Sequence, residues 1–348
     1  MSRSFRNVGL YSEKKRVLLT GAAGFAGSHM LRAILMDTNW DVVCVSSFRH
    51  KGLQDRLKSS LSGHPDWLGR VSVVLQDLAA PISALTSIQL GKIDYVINFA
   101  SESHVDRSIQ NPEKFILNNV SLMINVLEWA RRQDISNFIQ ISTDEVYGDH
   151  GLDDASKEWH SILLPSNPYS ASKAAQELIC VSYSRTYGLP LTITNTVNMF
   201  GEMQDPEKFV PQLISKILTG QKVLIHAVNE SEIGSRVYLH ARSNADAILF
   251  LLGNRDSELL QKFHISSDDL LSNLDIAEQV SQILNKKLDY ELDFEILSRP
   301  GHDFHYALDG ASIKNKGWSQ PEKFQKSLEN VVSWYLKNPE WLNPSNFQ

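Results

Sequence analysis

The sequence predicts an α/β protein: a doubly wound parallel sheet with a smaller C-terminal α/β lobe. Three observations predict it. Short β-rich runs alternate with longer helical patterns through the first half, the signature of parallel strands covered by helices on both faces. A glycine-rich turn joins the first run to the first helix. After about residue 200 the pattern becomes irregular, with Pro, Gly and polar residues between shorter elements.

The elements follow in order. "RVLLT" (16–20) is a short buried strand, and "FAGSHMLRAILMD" (25–37) spaces its apolar residues as a helix does. "DVVCVS" (41–46), "VSVVLQD" (71–77), "YVINFA" (95–100), "NFIQIS" (137–142) and "LTITNT" (191–196) are the further strands. Two long helical patterns lie between them, at 111–133 and 167–188. We expect a loose tail over 1–14, a nucleotide-binding domain over 15–200, and a substrate lobe mainly within 201–348. Some segments of the last part return to the first domain.

Composition bounds the function. Of 348 residues, 42% are hydrophobic and 21% charged, which supplies a core of ordinary size. A net charge of −6 gives no reason to expect nucleic acid or an anionic membrane as a partner. The two cysteines, Cys44 and Cys180, both lie in apolar segments, which fits a reducing compartment without disulfides. No apolar run approaches the roughly 20 residues of a membrane span. The N-terminus is basic without an apolar signal core. A cytoplasmic protein without a resident metal is expected.

"TGAAGFAGS" (20–28) sets Gly21, Gly24 and Gly27 between the first strand and the first helix, with Phe25 and Ala26 among them. Glycine lets backbone approach a ligand closely, and the helix offers unpaired N–H groups to a pyrophosphate. This is the Rossmann context for a dinucleotide. The end of the second strand reads "VCVSSFRHKG" (43–52). Ser46 stands where NAD proteins carry an acid for the ribose, and Ser47, Arg49, His50 and Lys51 follow. Hydroxyls and basic groups suit a 2′-phosphate, so NADP is expected in preference to NAD; a solvated basic loop is the alternative. Asp77 and Leu78 end the third strand, where Asp77 can accept from an adenine amino group or simply start a turn.

"YSASK" puts Tyr169 and Lys173 four apart, on one face of a helix. A neighbouring ammonium and an oxidised nicotinamide would favour the phenolate and make it a base. "ISTDEVYG" (141–148) sets Thr143, Asp144 and Glu145 at a strand end. Alone, the acid pair reads equally as acid–base machinery or as an acidic loop.

Taken together, "SESHVDRSIQNP" (101–112), "STDEVYG" (142–148), "NPYSASKAAQE" (167–177), "PEKFVP" (206–211) and "RPGHDFHYALD" (299–309) decide the matter. In this order they resemble the nucleotide-sugar 4,6-dehydratases of the extended short-chain dehydrogenase/reductase family, most closely those acting on dTDP-glucose. The likeness covers roughly residues 15–335. It implies a lyase that oxidises C4 of a dTDP- or UDP-hexose, eliminates water across C5 and C6, and returns the hydride to C6. Thr143, Tyr169 and Lys173 become the oxidation set, Glu145 the base at C5 and Asp144 the acid at C6. Ala100 and Ser101 would line the cofactor, and Asn119 would brace the lysine. Ser103, Asn198, Lys208, Arg236, Arg299, His302 and Tyr306 would contact the nucleotide sugar. The likeness also implies a homodimer through the two long helices.

Departures bear on specificity. Ser101 replaces the usual alanine of this motif, Met199 the second of two asparagines, and "HARS" (240–243) an acidic stretch. The catalytic set is untouched. An epimerase or 5,6-dehydratase is the alternative enzyme, though related epimerases lack the adjacent acids. A silent dinucleotide-binding regulator would be expected to lack Tyr169, Lys173 or an acid.

Overall fold

The computed structural model describes residues 13–50, 52–149, 155–294, 301 and 307–346. The first part runs β1 (Arg16–Thr20), α1 (Phe25–Asp37), β2 (Asp41–Ser46), α2 (Leu53–Leu61), β3 (Val71–Leu75), α3 (Ala84–Leu90) and β4 (Tyr95–Asn98). It continues through α4 (Val105–Gln110), α5 (Pro112–Ala130), β5 (Asn137–Thr143), α6 (Pro168–Tyr187) and β6 (Leu191–Thr196). Strands β1, β2 and β6 match their expected ranges residue for residue. Strand β3 stops at Leu75 and β4 at Asn98, because the chain turns toward a cleft there. Helices α2, α3 and α4 were not expected; they are short, and their apolar patterns span too few turns to stand out.

The remainder comprises β7 (Asn198–Phe200), α7 (Phe209–Thr219), β8 (Val223–Asn229), β9 (Glu232–Ile233), β10 (Ser235–His240) and α8 (Ala241–Gly253). Then come β11 (Leu260–Ile265), β12 (Leu270–Ser272), α9 (Asn273–Leu284), β13 (Tyr290–Asp293), α10 (Ala311–Asn315) and α11 (Phe324–Lys337).

Seven strands form one sheet in the order β11-β6-β5-β4-β1-β2-β3, and every pairing in it is parallel. Strands β1, β2 and β4 read as largely apolar runs because helices cover both faces. On one face Met30 and Ile34 of α1 share a core with Ile248 and Leu251 of α8. On the other, Met123 and Leu127 of α5 pack with Cys180 of α6. Strand order reverses between β1 and β4, the switch point at which α/β sheets open a ligand crevice. Two three-stranded sheets, β12-β10-β7 and β13-β8-β9, carry the smaller lobe. Its core sets Ile214 and Ile225 against Val331 and Tyr335. Strand β11 and helix α8 come from this later part of the chain yet join the large sheet.

The long helices have clear local causes. Asn167 accepts from the Ser170 N–H at 2.9 Å while the Ser170 hydroxyl accepts from the Asn167 N–H at 3.2 Å, a capping box at the start of α6. Pro168 fills its first position, where no N–H is missed. Gly188 ends it in the left-handed region, at φ 69°. Both cysteines are buried and free. Burial pushes the Cys44 thiol up to about 12, so it stays an inert core group.

Candidate active site

Strand β1 delivers the chain to Gly21 at φ +67°, where a Cβ would lie 2.8 Å from the Ala100 backbone nitrogen. The turn is therefore pressed against the end of β4. Gly24 caps α1 without any side-chain hydrogen bond, which leaves the first N–H groups of the helix open to an anion. The cleft that opens there, of about 270 Å³, is lined by Gly21, Gly24, Phe25, Ser46, Ser47, Arg49, Asp77, Leu78, Ala100 and Ser101. Ser103 and Lys208 line it too. Ala26 and Gly27 do not line the cleft. Gly27 is buried, and its missing side chain makes room for the Gly21 carbonyl. A dinucleotide pyrophosphate fits this arrangement of close-packed glycines and an uncapped helix.

Arg49 donates to Asn118 at 3.0 Å and to Ser47 at 3.2 Å, and pairs with Asp77 at 3.4 Å. His50 meets Glu102 at 2.9 Å across the cleft from β2 to β4. Lys51 lies outside the described residues.

Fully buried, β5 ends on Thr143, and the acid pair occupies the 3₁₀ turn Asp144–Tyr147 that follows. The Thr143 hydroxyl donates to Asp144 Oδ1 at 3.0 Å. Asp144 Oδ2 is buried without a hydrogen-bond partner among the described residues. The turn is pinned at its far end by Tyr147, whose hydroxyl meets His264 Nε2 at 2.7 Å. Burial pushes Asp144 up to about 6. Glu145 rises to about 7, through burial and then the charge of Asp144. Arg236 favours the ionised form of both acids, and Lys208 that of Glu145. These two cations, distant in sequence from the acid pair, thus lie within electrostatic reach of it. Asn167 hydrogen-bonds Glu145 as well as capping α6.

Tyr169 stands in the first turn of α6, its N–H on Ser108 Oγ at 3.1 Å and its ring edge-on to Phe115. Its hydroxyl is hydrogen-bonded to Thr143. Burial, then the charges of Glu145 and Asp144, hold the phenol well above its ordinary value. The ammonium expected to counter this points elsewhere. Lys173 Nζ donates to the Ile141 carbonyl at 2.6 Å and to Gln176 Oε1 at 2.8 Å, and burial brings it down to about 8. Within the protein itself, then, the groups around Tyr169 favour the phenol.

Asn119 is wholly buried and braces the lysine at one remove. Its carbonyl accepts from Gln176 Nε2 at 2.7 Å, and its side-chain amide bridges Glu102 and Ser172. Asn198 opens β7 in register with Tyr238, and its Nδ2 is buried without a partner among the described residues. Arg299, His302 and Tyr306 lie outside the described residues. Sequence reasoning missed Asn167, Gln176 and Glu102. Asn167 carries only a capping signal, and Gln176 reads as an ordinary helix residue. Among the described residues no group of three His, Cys, Asp or Glu side chains could hold a metal ion, and no helix is long and apolar enough to cross a membrane.

The model of the NAD dependent epimerase/dehydratase family matches residues 17–265. The chain is 32% identical to the dTDP-glucose 4,6-dehydratase of Streptomyces niveus, over 94% of this chain and 95% of that protein. It is 34% identical to the low-salt glycan biosynthesis protein Agl12 of Haloferax volcanii, over 93% and 99% respectively. Among solved structures it is similar to DesIV, a dTDP-glucose 4,6-dehydratase from Streptomyces venezuelae with NAD and TYD bound. The TM-score is 0.81 at 30% identity, covering 94% of this chain and 99% of that one.

Proposed function

The chain belongs to the NAD-dependent epimerase/dehydratase family, and we propose that it is a nucleotide-sugar 4,6-dehydratase, a lyase that converts an NDP-hexose to an NDP-4-keto-6-deoxyhexose. The observation that carries this reading is the acid pair Asp144–Glu145 held beside Tyr169. Epimerisation at C4 needs oxidation and re-reduction alone. Elimination across C5 and C6 needs a base and an acid as well, and both stand here. The dTDP-glucose 4,6-dehydratases similar to this chain favour dTDP-hexose, with UDP-hexose as the second substrate class.

Gly21, Gly24, Phe25, Ala100 and Ser101 would hold a nicotinamide dinucleotide. When bound, that group would supply the hydride chemistry, as acceptor from C4 and donor to C6. Tyr169, as the phenolate that the positive charge of an oxidised nicotinamide would favour, takes the proton of the C4 hydroxyl, with Thr143 holding the same oxygen. The ketone so formed acidifies the C5 hydrogen, and Glu145 removes it as a proton. Asp144 protonates the C6 hydroxyl, which leaves as water. Glu145 then returns its proton to C5. Burial raises both acids in the protein alone, so the pair is poised to hold a proton. Asp144 suits the part of the acid, since its buried Oδ2 has no hydrogen bond to lose on taking that proton. Two carboxyls so close separate their proton affinities, which suits one base beside one acid.

Lys208 and Arg236 suit the substrate diphosphate. Ser103 and Asn198 would belong to the same subsite; Arg299, His302 and Tyr306 lie outside the described residues. For the cofactor we infer NADP. Ser46 leaves the ribose position without a carboxylate, and Arg49, 46% exposed, can turn from Asp77 to a phosphate. The similar solved structures hold NAD, so identification of the dinucleotide released on denaturation decides between them. Residues 15–200, joined by β11 and α8, would form the dinucleotide domain, with the rest of 201–348 the substrate lobe. A homodimer through α5 and α6 is supported by Leu117 and Leu178, 57% and 62% exposed on those packed helices. Two buried free thiols support a reducing, cytoplasmic setting.

The test is incubation of the purified protein with dTDP-, UDP-, GDP- and CDP-hexoses. Loss of one water from a single substrate class supports the reading. An unchanged mass with inverted C4 overturns it in favour of epimerisation.

A further inference from the structure

A second buried charge cluster lies behind the catalytic set, and the mechanism above does not use it. Glu177 follows Lys173 by one turn of α6, so the two share a face. Its Oε2 pairs with Lys262 Nζ of β11 at 2.8 Å, and both side chains are under 5% exposed. Its Oε1 accepts from the Ser142 hydroxyl at 2.5 Å and from Asn195 Nδ2 at 2.7 Å. The same Asn195 amide donates to the Thr143 carbonyl at 3.0 Å. One carboxylate thus gathers β5, β6 and β11 at the level of Thr143. The Lys262 ammonium also lies 4.9 Å from the centre of the Tyr147 ring and 5.7 Å from that of Trp159. Tyr147 closes the turn that carries Asp144 and Glu145. The cluster therefore grips that turn at its start, through Asn195 and Thr143, and at its end, through Tyr147.

Stability alone is a poor reason for such a pair. Apolar residues of similar volume often serve a buried site as well or better, because two charges must be stripped of water. What an apolar pair cannot do is hold three strand ends through directed bonds, or place a fixed negative charge beside Lys173. We propose that Glu177 and Lys262 are positioning residues for the reaction, fixing the Thr143–Glu145 turn and the charge next to Lys173. This rests on the dehydratase reading. Besides Glu177, the titratable group acting on Lys173 is the Cys180 thiol of its own helix, itself held neutral by burial. From β5 and α5 it meets the Ile141 carbonyl and, through Gln176, the Asn119 carbonyl, neither of which titrates.

Three variants test it: Glu177→Gln, Lys262→Arg, and the charge-free double variant Glu177→Gln with Lys262→Met, which leaves neither buried charge unpaired and stays readable should a single variant lose stability. We expect the double variant to unfold within a few degrees of wild type. We expect its kcat to fall tenfold or more with KM little changed, and Lys262→Arg to keep most of the wild-type rate. In Glu177→Gln the alkaline limb of the kcat profile should move to lower pH, because the carboxylate that sustains the Lys173 ammonium is gone. Titration of Lys173 Nζ by nitrogen-15 NMR should report the same shift without any sugar nucleotide, so failure of the dehydratase reading and failure of this inference are separable. Unchanged kcat in the double variant, or an unmoved Lys173 titration in Glu177→Gln, overturns the proposal and leaves the pair a packing feature.

Discussion

Gly27 sits so close to Gly21 that a methyl on it would lie 2.1 Å from the Gly21 carbonyl oxygen. Gly21 in turn is pressed against the backbone of Ala100. The phosphate turn is therefore fixed from both sides by main chain, which cannot yield as a flexible side chain would. Gly27→Ala should lower the melting temperature by several degrees and abolish dinucleotide binding. Gly63, at φ +79° with nothing within 4 Å of an added Cβ, is the control; Gly63→Ala should cost only the backbone strain, about 1–2 kcal/mol. Calorimetry of the two variants measures this. Equal, small losses would show that the turn relaxes freely.

The raised acids predict a stability that depends on pH. Asp144 near 6 and Glu145 near 7 lie above the ordinary carboxylate values of 3.8 and 4.5. The folded state thus binds more protons than the unfolded one between those limits, and its stability falls as pH rises through about 4 to 7. The penalty is complete above the folded values and absent below the unfolded ones. Removing one charge, as in Glu145→Gln, should stabilise the protein at pH 8, by up to about 3 kcal/mol, and by little at pH 4. Denaturant unfolding at both values checks this. A variant less stable than wild type at pH 8 would count against a strained acid pair.

Arg49→Ala should discriminate between cofactors. If it serves a 2′-phosphate, its loss removes a charge-assisted bond worth about 1.5–3 kcal/mol, roughly tenfold or more in NADP affinity, and leaves NAD unchanged. Titration with each dinucleotide reads it directly. Equal effects on both would assign Arg49 to the cleft wall, held by Asp77 and Asn118.

Leu178→Glu places a charge on the outward face of α6. For a dimer through α5 and α6 it should yield monomers by light scattering, with the circular dichroism of the parent. A wild type that is already monomeric would remove the dimer.

The fold was legible because β1, β2 and β4, buried on both faces, give largely apolar runs, and α1 and α6 carry strong punctuation in Gly24, Asn167, Pro168 and Gly188. Thr143, Asp144, Glu145 and Tyr169 were legible because a local motif placed them, and they do meet in space. The Lys173 partners were not, since Gln176, Asn119 and Glu177 act through pairings across separate elements that no local pattern records. Return of β11 and α8 to the large sheet was hard to place for the same reason: a strand such as "LQKFHI" mixes polar with apolar residues. Lys262 sits in its middle, paired with a carboxylate from another element.

The central claim, elimination with hydride moved from C4 to C6, is tested most directly with an NDP-hexose deuterated at C4. The account predicts a 4-keto product that has lost one water and carries the deuterium in its C6 methyl group. Deuterium found again at C4 of a sugar that has kept its water would contradict it.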